Sequence, residues 1–347
     1  MTAKALYRLP YQHHYTMAVQ HEGEPEILSS MDRLNGKEGF VVAPFMPSEE
    51  CPILLMHPDE VKLMAVRRQG EKPEGEVAPA SLPAERESYG DDFRVFHDEL
   101  QKGKFRKLVL ARPAKGVWTG SEEDLFMNLC VEYPRLFVAL VSTDRSGTWL
   151  MATPEVLLRG NGSDFSTMAL AGTQLATPSK TVADYPVEGV EWSAKDRQEQ
   201  QYVVDYIGET LKKYTGDCTV KGPYTTMAAQ LYHLRTDFNF RLADGRRLGS
   251  LIDDLFPTPA VCGIPKEEAW RFILSHESHP RKYYSGFVGP ISPCGNTQLF
   301  VSLRCVHLLP DGICEYYAGG GLLKESEEQK EWEETEAKIA TLRNMLK

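Results

Sequence analysis

Two short runs of this 347-residue sequence carry acidic side chains at a spacing that could do chemistry. SAKDRQEQQ places Asp196 and Glu199 three residues apart, so that on a helix both project from one face. EWEETEAK repeats the device with Glu331 and Glu334, and sets Lys338 one further turn along the same stripe. Such pairs offer oxygen ligands to a divalent cation, although either pair taken alone also reads as a solvated charged face.

Other candidates are single residues in informative surroundings. Lys107 opens KLVLAR, where alternation turns Lys107, Val109 and Ala111 to one side. A lysine in line with apolar residues can be buried, with its pKa lowered far enough to act as a base, or it can be an edge lysine that discourages aggregation. Glu155 follows Pro154 between two strand-like runs, His233 falls in AAQLYHLRT, and Arg304 interrupts LFVSLRCVHL. A buried arginine needs an anionic partner, from the protein or from a ligand. Gly319-Gly320-Gly321 ends a strand-like stretch and precedes Ser326-x-x-Gln329, a capping-box pattern. A strand, a glycine turn and a helix start together form an anion site, though glycine also simply makes tight turns.

These groups need elements to hold them. Strands are predicted at Lys107–Trp118, Leu136–Ser142, Thr148–Met151, Val156–Leu158, Phe165–Leu170, Tyr283–Val288, Gln298–His307 and Cys314–Tyr317. Helices are predicted at Asp91–Lys102, Ser121–Glu132, Ala194–Lys213, Lys266–Leu274 and Ser326–Met345. Strands follow one another through short turns without crossover helices, which predicts an antiparallel α+β architecture. Residues 1–70 hold short β-type runs such as Gly39–Phe45 and Pro52–His57 and are expected to complete a sheet. The Pro- and Glu-rich stretch Glu71–Ser88 reads as an exposed, extended connection. Gly160-Asn161-Gly162, which begins like a nucleotide loop, sits between strand-like runs and is expected to be a hairpin turn. His276-x-x-His279 lacks further ligands in register and is read as a surface pair.

Composition sets the limits. With 42% hydrophobic and 25% charged residues the chain is an ordinary globular protein. Its net charge of −10 argues against binding a nucleic-acid backbone, while a small anion remains compatible because local charges or a cation can reverse the local sign. The first twenty residues carry no apolar signal segment, and the longest apolar run, Phe137–Val141 with Leu136 before it, is too short to span a bilayer, so a cytoplasmic location and no membrane contact are expected. Seven cysteines without a CxxC pair read as reduced residues and not as a disulfide or zinc framework.

Taken in order, FRKLVLAR, ATPEVLLR, ALAGT, SAKDRQEQ, LYHLRT, PTPAVCGIP, SGFVG, VSLRC, AGGG and EWEETEAK resemble the chorismate-utilising family of isochorismate, salicylate, anthranilate and aminodeoxychorismate synthases. The resemblance runs from about residue 90 to the C-terminus and implies one large antiparallel β-sandwich with outer helices and the active site between the sheets. The chain would then be a single domain over 1–347, with 1–88 as the sheet-completing part and surface connection, and 89–347 as the catalytic region.

By the same resemblance Glu199 and Glu334 are the direct Mg²⁺ ligands, and Asp196 and Glu331 hold its waters. The ion and Lys338 receive the ring carboxylate of chorismate. Arg304 and the amides of Gly319 and Gly321 receive the enolpyruvyl carboxylate, Gly172 lines the ring, and His233 lies beside it. Lys107 matches the water-activating lysine of isochorismate-type enzymes, and Ala171 stands where aminodeoxychorismate synthases carry a nucleophilic lysine, so water is the expected nucleophile. Lys107 would take a proton from water attacking C2, and Glu155 would protonate the departing C4 hydroxyl. The implied activity is isochorismate synthase, without a glutaminase partner; salicylate synthase is the nearest rival and a non-catalytic synthase subunit a remoter one. The short N-terminal part and the VSLR strand resemble the menaquinone-type enzymes more than the siderophore type. Three positions depart from the pattern: Gln200 where a histidine often follows the metal-binding glutamate, Phe256 where one often precedes PTPA, and Pro290 where an aromatic residue commonly follows VG.

Overall fold

The computed structural model describes residues 2–67, 81–176 and 186–344. In it the runs of alternating residues become two nine-stranded sheets in which every strand pairing is antiparallel, as the short connections predicted. Sheet I runs Gly263–Ile264, Lys107–Val117, Ile313–Leu322, Cys305–Leu308, Gly147–Thr153, Phe137–Thr143, Ala3–Arg8, His14–Gln20, Glu60–Ala65. Sheet II runs Cys218–Ala228, Leu231–Arg241, Asp164–Leu175, Val156–Asn161, Asn296–Val301, Phe287–Ile291, Gly39–Ala43, Ile53–Met56, Glu26–Leu28. The N-terminal residues thus add three strands to each sheet.

Alternation decides what each face buries. Phe137, Ala139 and Val141 of sheet I meet Met168, Leu170 and Phe300 of sheet II in one inter-sheet core, with Phe137 stacked on Phe300 at 4.1 Å. The intervening residues face outward onto helices: Val138 and Leu140 against α2 (Glu122–Glu132) and α6 (Glu328–Arg343), Ala169 and Ala171 against α3 (Ala194–Leu211) and α4 (Leu248–Leu255). The remaining helices, Pro83–Gln101 and Lys266–His276, cover Leu108 and Leu110 of the lysine-bearing strand. No helix among the described residues is long and apolar enough to cross a membrane.

Several expectations are corrected. Residues 83–88 are helical because Pro83 presets the first turn. The Glu85 carboxylate completes that turn by accepting from Leu82 N at 2.8 Å. Residues 71–80 of the expected connection lie outside the described ones. The expected strand Tyr283–Val288 is strand only from Phe287. The expected strand Gln298–His307 is two strands, one in each sheet, with the chain crossing between them at 302–304, where Arg304 takes φ +46°. Gly319-Gly320-Gly321 is not a turn but an extended part of Ile313–Leu322, paired with Leu110 and its neighbours. The last helix begins after Glu327 without a side-chain cap, and Ser326 Oγ instead accepts from Leu323 N. His233 lies on an unforeseen strand, Leu231–Arg241. The Gly160–Gly162 run is the hairpin turn expected, with Gly162 at φ +63°.

Candidate active site

Each element delivers its side chain for a local reason. Lys107 pairs with Ile264 on one side, and the residue after it with Leu322 on the other, so the lysine is interior and 0% exposed. That removes the edge-lysine alternative. Glu155 sits where the chain crosses from Gly147–Thr153 of sheet I to Val156–Asn161 of sheet II, and Arg304 where it crosses back. The two crossovers run side by side, joined by Val301 N to Glu155 O at 3.0 Å and Ala152 N to Arg304 O at 3.2 Å. Gly172, at φ +70°, lies in a bulge between Ala171 and Gln174 that releases its carbonyl from the ladder.

Glu155, Gly172, Glu199, His233, Arg304, Gly319, Gly321, Glu334 and Lys338 line a single cavity between the sheets. One end is acidic. The first turns of α3 and α6 meet there, bridged by an ion pair from Lys195 to Glu331. The Lys107 ammonium lies 2.9 Å from Glu199 Oε1, off the direction of a hydrogen bond, and Lys338 Nζ donates to Glu334 Oε1 at 2.6 Å and to Gly319 O at 2.7 Å. The glycines are small because these carboxylates rest on them: a Cβ on Gly321 would overlap Glu199 Oε1, and one on Gly320 would meet Glu331 Oε2 at 3.3 Å and Glu334 Oε1 at 3.5 Å.

Electrostatics divide the carboxyl groups. Burial alone would raise the Glu199 pKa, but Lys107, Lys195 and Lys338 together hold it below the ordinary value. Glu331 is pushed up to about 7 by burial and then by Glu334. Glu155 is pushed up to about 8 by burial, against the pull of Lys107 and Lys338, so at neutral pH it is mostly protonated.

The other end is cationic. Arg304, 5% exposed, donates from Nη1 to Ala228 O at 3.0 Å and from Nη2 to His233 Nε2 at 2.8 Å, and has no carboxylate partner among the described residues. Burial lowers its pKa to about 10. A buried guanidinium without an anion costs several kcal/mol, and an anionic ligand is what would relieve it. Its positive φ fixes the backbone so that the side chain enters the cavity.

Three of the expected site residues stand outside the cavity wall. Lys107 reaches it only through Glu199 and Gly321, with its Cε 2.9 Å from where a Gly321 Cβ would be. The Asp196 carboxylate accepts from Ser193 Oγ at 2.6 Å and closes the capping box that starts α3, which accounts for its spacing without a metal. Glu331 lies just behind Gly320. Two contributors were not foreseen. Tyr284 lines the cavity with its hydroxyl 2.9 Å from where a Gly319 Cβ would be, and nothing in PRKYYSG marks it out. Lys195 had a signal, a cation in the first turn of a helix where the dipole disfavours it.

Glu331 Oε2 is buried without a hydrogen-bond partner and faces the same glycine as Glu334. This orphaned oxygen, and a donor set made only of carboxylates, suit a hard divalent cation such as Mg²⁺. No group of three or more His, Cys, Asp or Glu among the described residues could hold a metal alone, so water or ligand oxygens would have to complete the coordination. A larger surface cleft of about 670 Å³ is lined by residues 277–283, but its Arg281 and Lys282 are already paired, with Glu277 and Glu315.

Two antiparallel sheets packed face to face, with helices outside and a charged cavity between them, define an α+β sandwich class. The chain belongs to the chorismate binding enzyme family, whose sequence profile matches residues 54–347. It is 33% identical over 253 residues to the salicylate biosynthesis isochorismate synthase of Pseudomonas aeruginosa, covering 71% of this chain and 52% of that one. To the isochorismate synthase EntC of Escherichia coli K12 it is 31% identical over 201 residues, 58% of this chain and 51% of the relative. The chain spans about half the length of these curated relatives. The fold is that of the menaquinone-specific isochorismate synthase MenF of Escherichia coli, with a TM-score of 0.80 at 20% identity over 99% of this chain and 89% of that one.

Proposed function

We propose that the protein is a Mg²⁺-dependent isochorismate synthase, acting on chorismate as one domain and without a glutaminase subunit. The observation that carries this reading is Glu155, a cavity-lining carboxylic acid that stays protonated at neutral pH, with the buried Lys107 side chain behind Glu199 and Gly321 of the same cavity. An exchange of hydroxyl groups on a ring needs one group to take a proton and one to give it. The names of these two relatives, both built on isochorismate synthase, agree with it.

Arg304 receives the enolpyruvyl carboxylate, with the Gly319 and Gly321 amides and the Tyr284 hydroxyl lining the same cavity, and Lys338 stands by the ring carboxylate. Glu199 and Glu334 would hold Mg²⁺, with Glu331 beside them, and the ion when bound would supply positive charge for the ring carboxylate. Lys107, which must be unprotonated for this step, accepts a proton from the water whose oxygen bonds to C2. The ring double bonds shift, the C4–O bond breaks, and Glu155 gives its proton to the departing hydroxyl, so one water is consumed and one released. Ala171, which lines the cavity, presents no nucleophile to the ring. The reaction takes place in the cytoplasm, and the resemblance of the VSLR segment to the menaquinone-type enzymes favours menaquinone formation over siderophore formation.

The test is product analysis after incubating the purified protein with chorismate and Mg²⁺. Isochorismate is expected. Salicylate with pyruvate and no second enzyme, or anthranilate that depends on ammonium, would overturn the reading.

A further inference from the structure

The resemblance places His233 beside the reacting ring, among the expected catalytic residues. Its bonds tell otherwise. The ring is 6% exposed, and both of its nitrogens are engaged. Arg304 has only N–H groups to offer, so the 2.8 Å contact between Arg304 Nη2 and His233 Nε2 makes Nε2 an acceptor. Nδ1 must then carry the proton, which it donates to the Gly172 carbonyl at 2.8 Å. The Thr173 hydroxyl, 3.5 Å from Nδ1, adds at most a weak contact. Neither nitrogen has a lone pair or a proton directed at the cavity.

From this closed set of bonds we propose that His233 is a positioning residue, a neutral strut that aims the Arg304 guanidinium into the cavity and ties it to the Gly172 bulge, and that it exchanges no proton with substrate.

The surroundings enforce it. Burial is the main cause holding the His233 pKa well below its ordinary value, and the cationic Arg304 and Lys338 push it the same way, while the Gly172 carbonyl opposes them less strongly. The guanidinium has two anchors, His233 and Ala228 O, and losing one leaves a long side chain free to rotate from its carboxylate-binding pose. His233 also spans two sequence-distant parts of the site, the bulge of Asp164–Leu175 and the sheet crossover at 302–304, so its loss disturbs both. That the anion received is a chorismate carboxylate rests on the proposed function; the tautomer and the strut do not.

The test has two arms. In the first, long-range ¹H–¹⁵N spectra of the ¹⁵N-histidine-labelled full chain, assigned by comparison with His233→Gln, should show His233 protonated on Nδ1, bare on Nε2, and not titrating between pH 8 and 5.5. Titration within that range, or the opposite tautomer, would overturn the proposal. In the second, His233→Leu should raise the KM for chorismate at least tenfold while kcat changes less than fivefold and the pH profile keeps its shape, and His233→Gln should restore most of the lost KM. In an Arg304→Lys background, His233→Leu should add less than threefold. A hundredfold loss of kcat at unchanged KM, or loss of one limb of the pH profile, would refute it. If His233→Leu does not fold, as thermal unfolding would show, His233→Gln and the spectra decide. A wild-type chain that leaves chorismate untouched would refute the functional reading alone, because the spectral arm needs no substrate.

Discussion

The two ends of the cavity are built on opposite principles. At the acidic end Glu199, Glu331 and Glu334 are each matched by a lysine, and the three carboxylates ride on the first two turns of two helices, where a single rotation per residue fixes their spacing. At the cationic end one guanidinium stands without a carboxylate among the described residues, held by a histidine nitrogen and a backbone carbonyl at a chain crossover. The acidic end can trade partners when a cation arrives. The cationic end has a fixed donor and lacks only its anion. A ligand with two carboxylates, one met through a cation and one met directly, would satisfy both, and would let an acidic protein take a dianion.

The comparison can be broken at four points. Lys107→Ala should lower kcat by about 10⁴-fold, the upper end of what a positioned proton acceptor contributes, with chorismate binding still measurable because the Arg304 end is intact. Turnover close to wild type in single-turnover experiments would show that another group takes the proton. Arg304→Leu should raise the KM for chorismate by about 10²- to 10³-fold, the expected result of truncating a buried charge that pairs with its ligand. An effect under tenfold on steady-state kinetics would mean that the anion binds elsewhere.

Glu334→Gln should raise the Mg²⁺ concentration for half-maximal activity by about 10- to 100-fold. Glu327→Gln, at an exposed carboxylate paired with Lys330 outside the cavity, should leave it unchanged. Equal effects in a metal titration would contradict the placement of the cation. The smallest effect is the pH dependence. Glu155 has its pKa raised to about 8, so its protonated form is present at neutral pH and is lost as pH rises through about 8. Activity should fall about tenfold per pH unit above that. Glu155→Gln should remove the limb, and a profile flat to pH 10 in the wild type would exclude Glu155 as the acid.

The acidic end is legible in the chain because helical period puts Glu331, Glu334 and Lys338 on one stripe and the ordered motifs set that stripe apart from a solvated charged face. Even there spacing misleads at Asp196, whose i, i+3 relation to Ser193 serves the helix cap. The glycine run misleads as well, since it has the composition of a turn. Those glycines need no unusual backbone, only the absence of a Cβ where the Leu110 carbonyl and Tyr284 hydroxyl close on Gly319 and carboxylates approach Gly320 and Gly321, and such convergence is a property of distant segments. The cationic end is far less legible. Arg304 reads as part of one continuous strand, His233 falls in no element that its neighbours define, and Tyr284 carries no signal at all.

The sequence by itself determined the periods: which residues alternate, which acids share a helix face, and so the antiparallel α+β class and the acidic half of the site. Only the tertiary structure decided where the chain passes from one sheet to the other, at 153–156 and 301–305, and those two crossings carry Glu155 and Arg304. The physical reason is range. Alternation and helical turns are set by neighbours a few residues away, whereas a sheet crossing, a bulge that frees a carbonyl and the burial that keeps a carboxyl protonated arise from contacts between segments dozens of residues apart.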